Sequence, residues 1–274
     1  MRLLINGKTE TQISATDRGL QYGDGLFETM TVRDGRPCLW HQHMERLQSG
    51  CHRLNIPAPD SSVLYDEVRQ EIGVANHGVI KVIVTRGPGG RGYTPQSESI
   101  STRIVNWSEM QEYPAEYYQK GIVARLCSTR LGWNPTLAGI KHLNRLEQVM
   151  ARSEWNDPSI QEGLMMDSAS YVIEGTFSNL FVMQNGRLVT PDLSRCGVAG
   201  VMQGVVMRTA EKLGVPVTVD NISVQDLWSA DALFVTNSLI GLWPVRELSG
   251  HEFSIDVIPE ILTTTVMSEA FNHE

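Results

Sequence analysis

The 274 residues carry 23 Lys and Arg against 31 Asp and Glu, a formal net charge of −8, with 41% hydrophobic and 20% charged residues. That length accommodates one large domain or two ordinary ones, and the apolar fraction fills a core. Disorder, collagen and coiled coil are excluded because no low-complexity tract or heptad run appears, and the acidic balance opposes general binding to nucleic acid or anionic membrane, which needs a positive field.

Leu3 to Ile5 running into Asn6-Gly7 reads as a strand entering a turn, and Leu26 to Val32 running into Asp34-Gly35 as a second hairpin. Trp40, Met44, Leu47, Cys51 and Leu54 are spaced as one face of an amphipathic helix, closed by Pro57 and Pro59, with Arg46 at the edge of the stripe. Val79 to Thr85 and Arg103 to Trp107 read as strands joined by a glycine-rich loop, Gly87 to Gly92. Residues 111–120 lose the periodic pattern around Pro114 and read as a linker between an N-terminal domain, 1–110, and a C-terminal domain, 121–274. Beyond it, Ile122 to Cys127 is predicted as a strand. The breaker-rich LGWNPTLAG then leads into a helix on which Leu143, Leu146, Val149 and Met150 share a face. Tyr171 to Glu174 and Ser178 to Met183 are predicted strands, Asn185-Gly186 a hairpin turn, and Val201 to Leu213 a helix stopped by Gly214.

Cys38, Cys51, Cys127 and Cys196 include no C-x-x-C pair, so neither a zinc knuckle nor a redox dithiol is indicated and reduced thiols are expected. The apolar run before Asn6 is too short for a signal sequence, and no window approaches the roughly 18 apolar residues of a membrane span. A cytoplasmic, membrane-free protein is the expectation.

Gly87, Gly89 and Gly92 match G-x-G-x-x-G, but Tyr93-Thr94-Pro95 and a further strand follow where a dinucleotide site needs a helix, so a loop between antiparallel strands is the reading. His41, His43 and His52 lack metal-ligand spacing and read as surface histidines; no metal site is expected. GVAGVMQG, 197–204, runs a flexible loop into a helix N-terminus, a place suited equally to a phosphate or to a loop needing unusual dihedrals. Lys141, among Ala138, Gly139, Ile140 and Leu143, is a candidate for partial desolvation and nucleophilicity, against the ordinary reading of a solvated lysine. Glu174 closes a strand, where an exposed carboxylate is the default.

Together these pieces form a larger pattern: DRGLQYGDGLFET at 17–29, HMERLQ at 43–48, KVIVTRGPGGRGY at 81–93, LGWNPTLAGIKHLNRLEQV at 131–149, VIEGTFSNLF at 172–181, GVAGVM at 197–202 and TNSLIGLWPV at 236–245. In that order and spacing the chain resembles the fold-type IV pyridoxal-phosphate enzymes. The GIKHLNRLEQ block and GGRGY loop are similar to the aminodeoxychorismate lyase branch, and the rest is shared with branched-chain and D-amino-acid aminotransferases. The resemblance implies an α/β (α+β) chain of two domains, a smaller N-terminal sheet-and-helix domain and a larger C-terminal barrel-like domain. It implies pyridoxal 5′-phosphate carried on Lys141, with Glu174 at the pyridine nitrogen. Arg46, the Val201 and Met202 amides, Asn237 and Ser238 would surround the phosphate. Arg91 and Arg103 would meet the carboxylates of aminodeoxychorismate, with Tyr22 and Phe27 as pocket wall. The implied reaction yields 4-aminobenzoate and pyruvate for folate biosynthesis, with Lys141 as base, in a homodimer. An aminotransferase of the same fold is the alternative, since the FET of Phe27, Glu28 and Thr29 occurs in both.

Overall fold

The computed structural model describes residues 2–96 and 99–272. The described residues form two compact units, one drawn from 2–111, 140–144 and 271–272, the other from 112–139 and 145–270.

The first unit contains β1 (Arg2–Ile5), β2 (Lys8–Thr9), α1 (Arg18–Tyr22), β3 (Gly25–Arg33), β4 (Arg36–Pro37), α2 (Trp40–Leu54), α3 (Ser61–Ile72), β5 (Gly78–Thr85) and β6 (Thr102–Ser108). Its strands make a six-stranded antiparallel sheet in the order β2-β1-β6-β5-β3-β4. The two Asx-Gly turns form as their sequences require: Asn6 and Gly7, and Asp34 and Gly35, all have positive φ. On α2, Met44, Leu47 and Cys51 recur at helical spacing and bury with Leu26, Met30, Val82 and Val84 of the sheet. Each fully buried aliphatic side chain contributes roughly 1.5–3 kcal/mol. The sequence reading missed α3, whose Leu64, Val68 and Ile72 complete this core. It also placed His43 at the surface. His43 is fully buried, because a carboxylate on β3, Glu28, meets its ring inside the core.

The second unit contains α4 (Ala115–Gln119), β7 (Ile122–Leu131), α5 (Leu146–Arg152), β8 (Glu162–Asp167), β9 (Tyr171–Gly175), β10 (Asn179–Gln184), β11 (Arg187–Pro191), α6 (Val201–Lys212), β12 (Val217–Asp220), β13 (Ile222–Ser223), α7 (Val224–Trp228), β14 (Ala232–Asn237), β15 (Gly241–Leu248), β16 (His251–Glu252) and α8 (Glu260–Phe271). The main sheet runs β12-β11-β10-β14-β15-β7-β8-β9-β13. A further pairing of Asn179 with Glu174 joins β10 to β9 and closes the middle strands into a barrel-like ring. Trp243 and Leu164 are in its core. Residues 111–120, read as a linker, carry α4. Tyr113 and Tyr117 there set their ring centroids 4.9 and 5.3 Å from that of Trp243.

Two expectations around Lys141 change. The helix begins at Leu146, so Leu143 lies outside it, and Leu146, Val149 and Met150 are 76%, 58% and 63% exposed. The extended segment 140–144 belongs to the first unit, where it lies along the start of β3: Phe27 N–H donates to Lys141 O at 3.1 Å and Leu143 N–H to Gly25 O at 3.0 Å. No described helix is long and apolar enough to cross a membrane.

Candidate active site

In the first unit, β3, α2 and the 140–144 segment assemble a buried charged cluster. β3 turns Glu28 into the core; α2 brings His43 and Arg46, one helical turn apart, to the same carboxylate. His43 Nδ1 lies 2.6 Å from Glu28 Oε2, Arg46 Nε donates to Oε1 at 2.9 Å, and Arg46 Nη2 donates to Oε2. Burial alone raises the Glu28 pKa, but the Arg46 charge and the His43 and Arg46 hydrogen bonds outweigh it and bring the pKa down to about 2. Burial lowers the His43 pKa; Glu28 opposes this, while the charges of Arg46 and Lys141 add to it. His43 is therefore a neutral imidazole whose Nδ1–H donates to a carboxylate. Its Nε2 is buried with no hydrogen-bond partner among the described residues. Lys141 Nζ lies 4.5 Å from the centre of the Phe27 ring, and Lys81 Nζ lies 5.1 Å from it.

In the second unit, the 197–200 loop and the end of β9 meet. Glu174, 4% exposed rather than at the surface, accepts Val198 N–H at 2.8 Å and Gln148 Nε2–H at 3.3 Å. Gly197 permits this approach: its φ is +87°, and a Cβ there would meet Ile173 Cγ2 and Leu193 Cδ2, each at 2.8 Å. Gly200 precedes α6, where a Cβ would sit 1.9 Å from Asn179 Oδ1, so the N-terminus carrying Val201 and Met202 demands glycine. The first amides of a helix have no intrahelical acceptor, and the dipole there favours an anion. Asn237 caps the turn after β14: its Oδ1 accepts Leu239 N–H at 2.8 Å and Ile240 N–H at 3.0 Å, and its Nδ2 donates to Phe177 O at 3.1 Å. Ser238 sits in the turn that Asn237 shapes.

Arg103, expected to meet a ligand carboxylate, instead pairs with Glu67 of α3, Nε to both oxygens at 3.0 and 3.1 Å and Nη2 to Oε1 at 2.6 Å. Its charge is neutralised within the first unit. Arg91 is exposed on the glycine-rich loop, and Tyr22 is half-buried with its ring centroid 5.5 Å from that of Tyr93.

Sequence reasoning set His43 aside as a surface histidine, did not single out Gln148, Val198 or Arg145, and passed over Glu28 as uninformative. The Glu174 charge acts on Arg145, opposing the lowering of its pKa by burial. A carboxylate alternating with apolar residues on one strand face, as Glu28 does with Leu26 and Met30, was the available signal.

The profile of the family described as amino-transferase class IV matches residues 25–248. An aminodeoxychorismate lyase of Vibrio harveyi is 36% identical over 256 residues, covering 92% of this chain and 93% of that protein. A putative branched-chain-amino-acid aminotransferase of Methanocaldococcus jannaschii is 30% identical over 279 residues, covering 99% and 95%. The crystal structure of a 4-amino-4-deoxychorismate lyase from Pseudomonas aeruginosa matches with a TM-score of 0.91 at 46% identity, covering 97% of each chain.

Proposed function

The chain belongs to the amino-transferase class IV family, and on that premise we propose that it is a pyridoxal-phosphate-dependent lyase converting 4-amino-4-deoxychorismate to 4-aminobenzoate and pyruvate. The observation that carries this reading is the full-length likeness to the Pseudomonas aeruginosa lyase, 46% identical at a TM-score of 0.91.

The donor set suits the cofactor. A lysine amine against an aromatic face, a buried carboxylate fixed by a backbone N–H, and a glycine-preceded helix N-terminus match an aldehyde, a pyridine nitrogen and a phosphate. When bound, the cofactor supplies an aldehyde that combines with amines and a ring that withdraws the electrons left when a neighbouring C–H bond breaks. Lys141 would be the residue that anchors it, and its amine, when free, the base that takes the proton from the substrate carbon bearing nitrogen. Glu174, held in place by its bonds from Val198 and Gln148, would keep a proton on the pyridine nitrogen. The Val201 and Met202 amides and Ser238 would hold the phosphate, with Asn237 orienting Ser238. Arg46, whose guanidinium Glu28 holds in one orientation, would add its charge there. Arg91 meets a substrate carboxylate, Tyr22 and Phe27 form pocket wall, and Arg103 serves the fold through Glu67. Loss of the enolpyruvyl group aromatises the substrate ring, so the chemistry is strongly downhill.

Purified protein supplied with pyridoxal phosphate and aminodeoxychorismate is expected to release pyruvate and 4-aminobenzoate in equal amounts, and Lys141→Ala to release neither. No product, together with rapid transamination of a branched-chain or D-amino acid, would establish the aminotransferase reading, which the 30% identity to the Methanocaldococcus protein favours. We propose a cytoplasmic homodimer, in which a second copy covers the exposed Leu146, Val149 and Met150 of α5. A monomeric mass by light scattering would overturn that assignment.

A further inference from the structure

The glycine-rich loop after β5 has little of its own to hold it. Gly87 and Gly92 have φ of +87° and +86°, and Gly89 and Gly90 add further freedom. Each backbone residue fixed in such a loop costs conformational entropy. Its conformation is imposed from α1. Arg18 is 4% exposed, and its Nη1 donates to Gly92 O at 3.0 Å and its Nη2 to Tyr93 O at 2.9 Å, while its Nε donates to Asp24 Oδ2 at 2.8 Å. One planar guanidinium thus grips two successive carbonyls and one carboxylate, a geometry open to arginine and closed to lysine. The near end of the loop is tied as well, Arg18 N–H to Gly87 O and Gly89 N–H to Thr16 O, both at 3.0 Å.

Asp24 carries the tie further. Arg86 donates to its Oδ2 through Nε at 2.7 Å and to its Oδ1 through Nη2 at 3.0 Å. The same guanidinium donates to Asn55 O at 2.6 Å and Leu54 O at 2.8 Å, at the C-terminus of α2, where a cation also complements the helix dipole. One carboxylate therefore keys the loop bearing Arg91 to the helix bearing Arg46.

We propose that Arg18 is a positioning residue for substrate: through Asp24 and the Gly92 and Tyr93 carbonyls it sets the loop that presents Arg91 to a carboxylate of the substrate. This rests on the lyase reading and on the part it gives Arg91. Arg18 itself touches neither substrate nor cofactor in this scheme. The latch lowers the cost of ordering the loop when substrate binds, so its loss appears in KM more than in kcat.

Two variants open the latch from opposite sides. Arg18→Lys keeps the charge beside Asp24 but cannot span both carbonyls. Gly89→Ala leaves Arg18 intact, but the new Cβ meets Arg18 Cδ at 2.7 Å and pushes its stem aside. In the cofactor-loaded protein, both are expected to raise trypsin cleavage after Arg91 about tenfold and KM for aminodeoxychorismate about tenfold, with kcat within about twofold. Wild-type cleavage and KM in both variants overturn the latch, and so does faster cleavage with unchanged KM. Arg91→Ala separates the proposal from its premise. If it leaves KM unchanged, the substrate role of Arg91 fails; if it raises KM while Arg18→Lys and Gly89→Ala do not, the latch alone fails.

Discussion

Glu28 in the first unit and Glu162 in the second are both buried, 1% and 0% exposed, yet their carboxyl groups are driven in opposite directions. Glu28 faces an arginine and a histidine, and its pKa falls to about 2. Glu162 meets only neutral donors: Thr176 N–H at 3.0 Å, Thr176 Oγ1–H at 2.7 Å, Ser178 Oγ–H at 2.6 Å and the N–H of Gly163 at 2.7 Å. Burial raises its pKa, and those bonds offset the rise only in part. The difference separates two uses of a buried carboxylate. Where a cation must be held in one orientation, the carboxylate stays charged. Where a backbone turn must be held, as at 175–178, hydroxyls and amides suffice, and the charge is a cost.

The largest test of this contrast is Glu28→Ala. Removing one partner of a buried ion pair leaves Arg46 uncompensated, and about 3–5 kcal/mol of unfolding free energy should be lost, read from urea denaturation. The same variant should bind pyridoxal phosphate more weakly, since Arg46 loses its clamp. A smaller loss, about 1–3 kcal/mol, is expected for Glu162→Ala, which strands neutral donors. Equal losses in the two variants would remove the distinction.

The pH dependence gives the contrast its sign. Glu28, with a folded pKa near 2 against an ordinary 4.5, contributes stability that is complete above 4.5 and lost as pH falls toward 2. His43, held below its ordinary 6.5, also contributes stability that is present above 6.5 and lost as pH falls through its folded pKa. Glu162 acts in reverse: its contribution is complete below 4.5 and lost as pH rises through its raised pKa. Denaturation midpoints from acid to neutral pH should therefore show Glu162→Gln gaining relative to the parent as pH rises, and a constant difference would contradict the assignment. Smallest of all, Arg103→Ala should cost about 1 kcal/mol through its partly exposed pair with Glu67 and leave KM for aminodeoxychorismate unchanged. A raised KM would return Arg103 to the substrate.

Several elements were legible because their signals are local. The stripe of Met44, Leu47 and Cys51 dictates α2, and Asn-Gly and Asp-Gly dictate their turns whatever lies around them. Helix α3 was not legible, because Glu67 and Glu71 share its buried face and read as solvent-facing charges until a partner is known. Arg103 comes from β6 to meet Glu67 there, 36 residues away in sequence. The apolar stripe of α5 was legible, but helical spacing shows that a face is apolar and is silent on what covers it. At the candidate site, Lys141 and Glu174 stood out through residue type and motif. His43 did not, because its partner lies 15 residues away on another element, and Arg18 did not, because it binds carbonyls 74 and 75 residues on that carry no side-chain identity.

Residue order and motif spacing along the chain carry the family, the mixed α/β character and the amine, carboxylate and helix-start motifs. Periodicity, turn chemistry and residue order are properties of the chain and survive without coordinates. Only the tertiary structure decided which charges are spent within the fold and which are presented to solvent. Arg103 is paired with Glu67, Arg46 is clamped by Glu28, and Arg91 is held out on a loop that Arg18 grips. The net charge of −8 could not distinguish them. Electrostatic pairing falls off within a few ångströms, and a distance of that size is set by folding rather than by position along the chain.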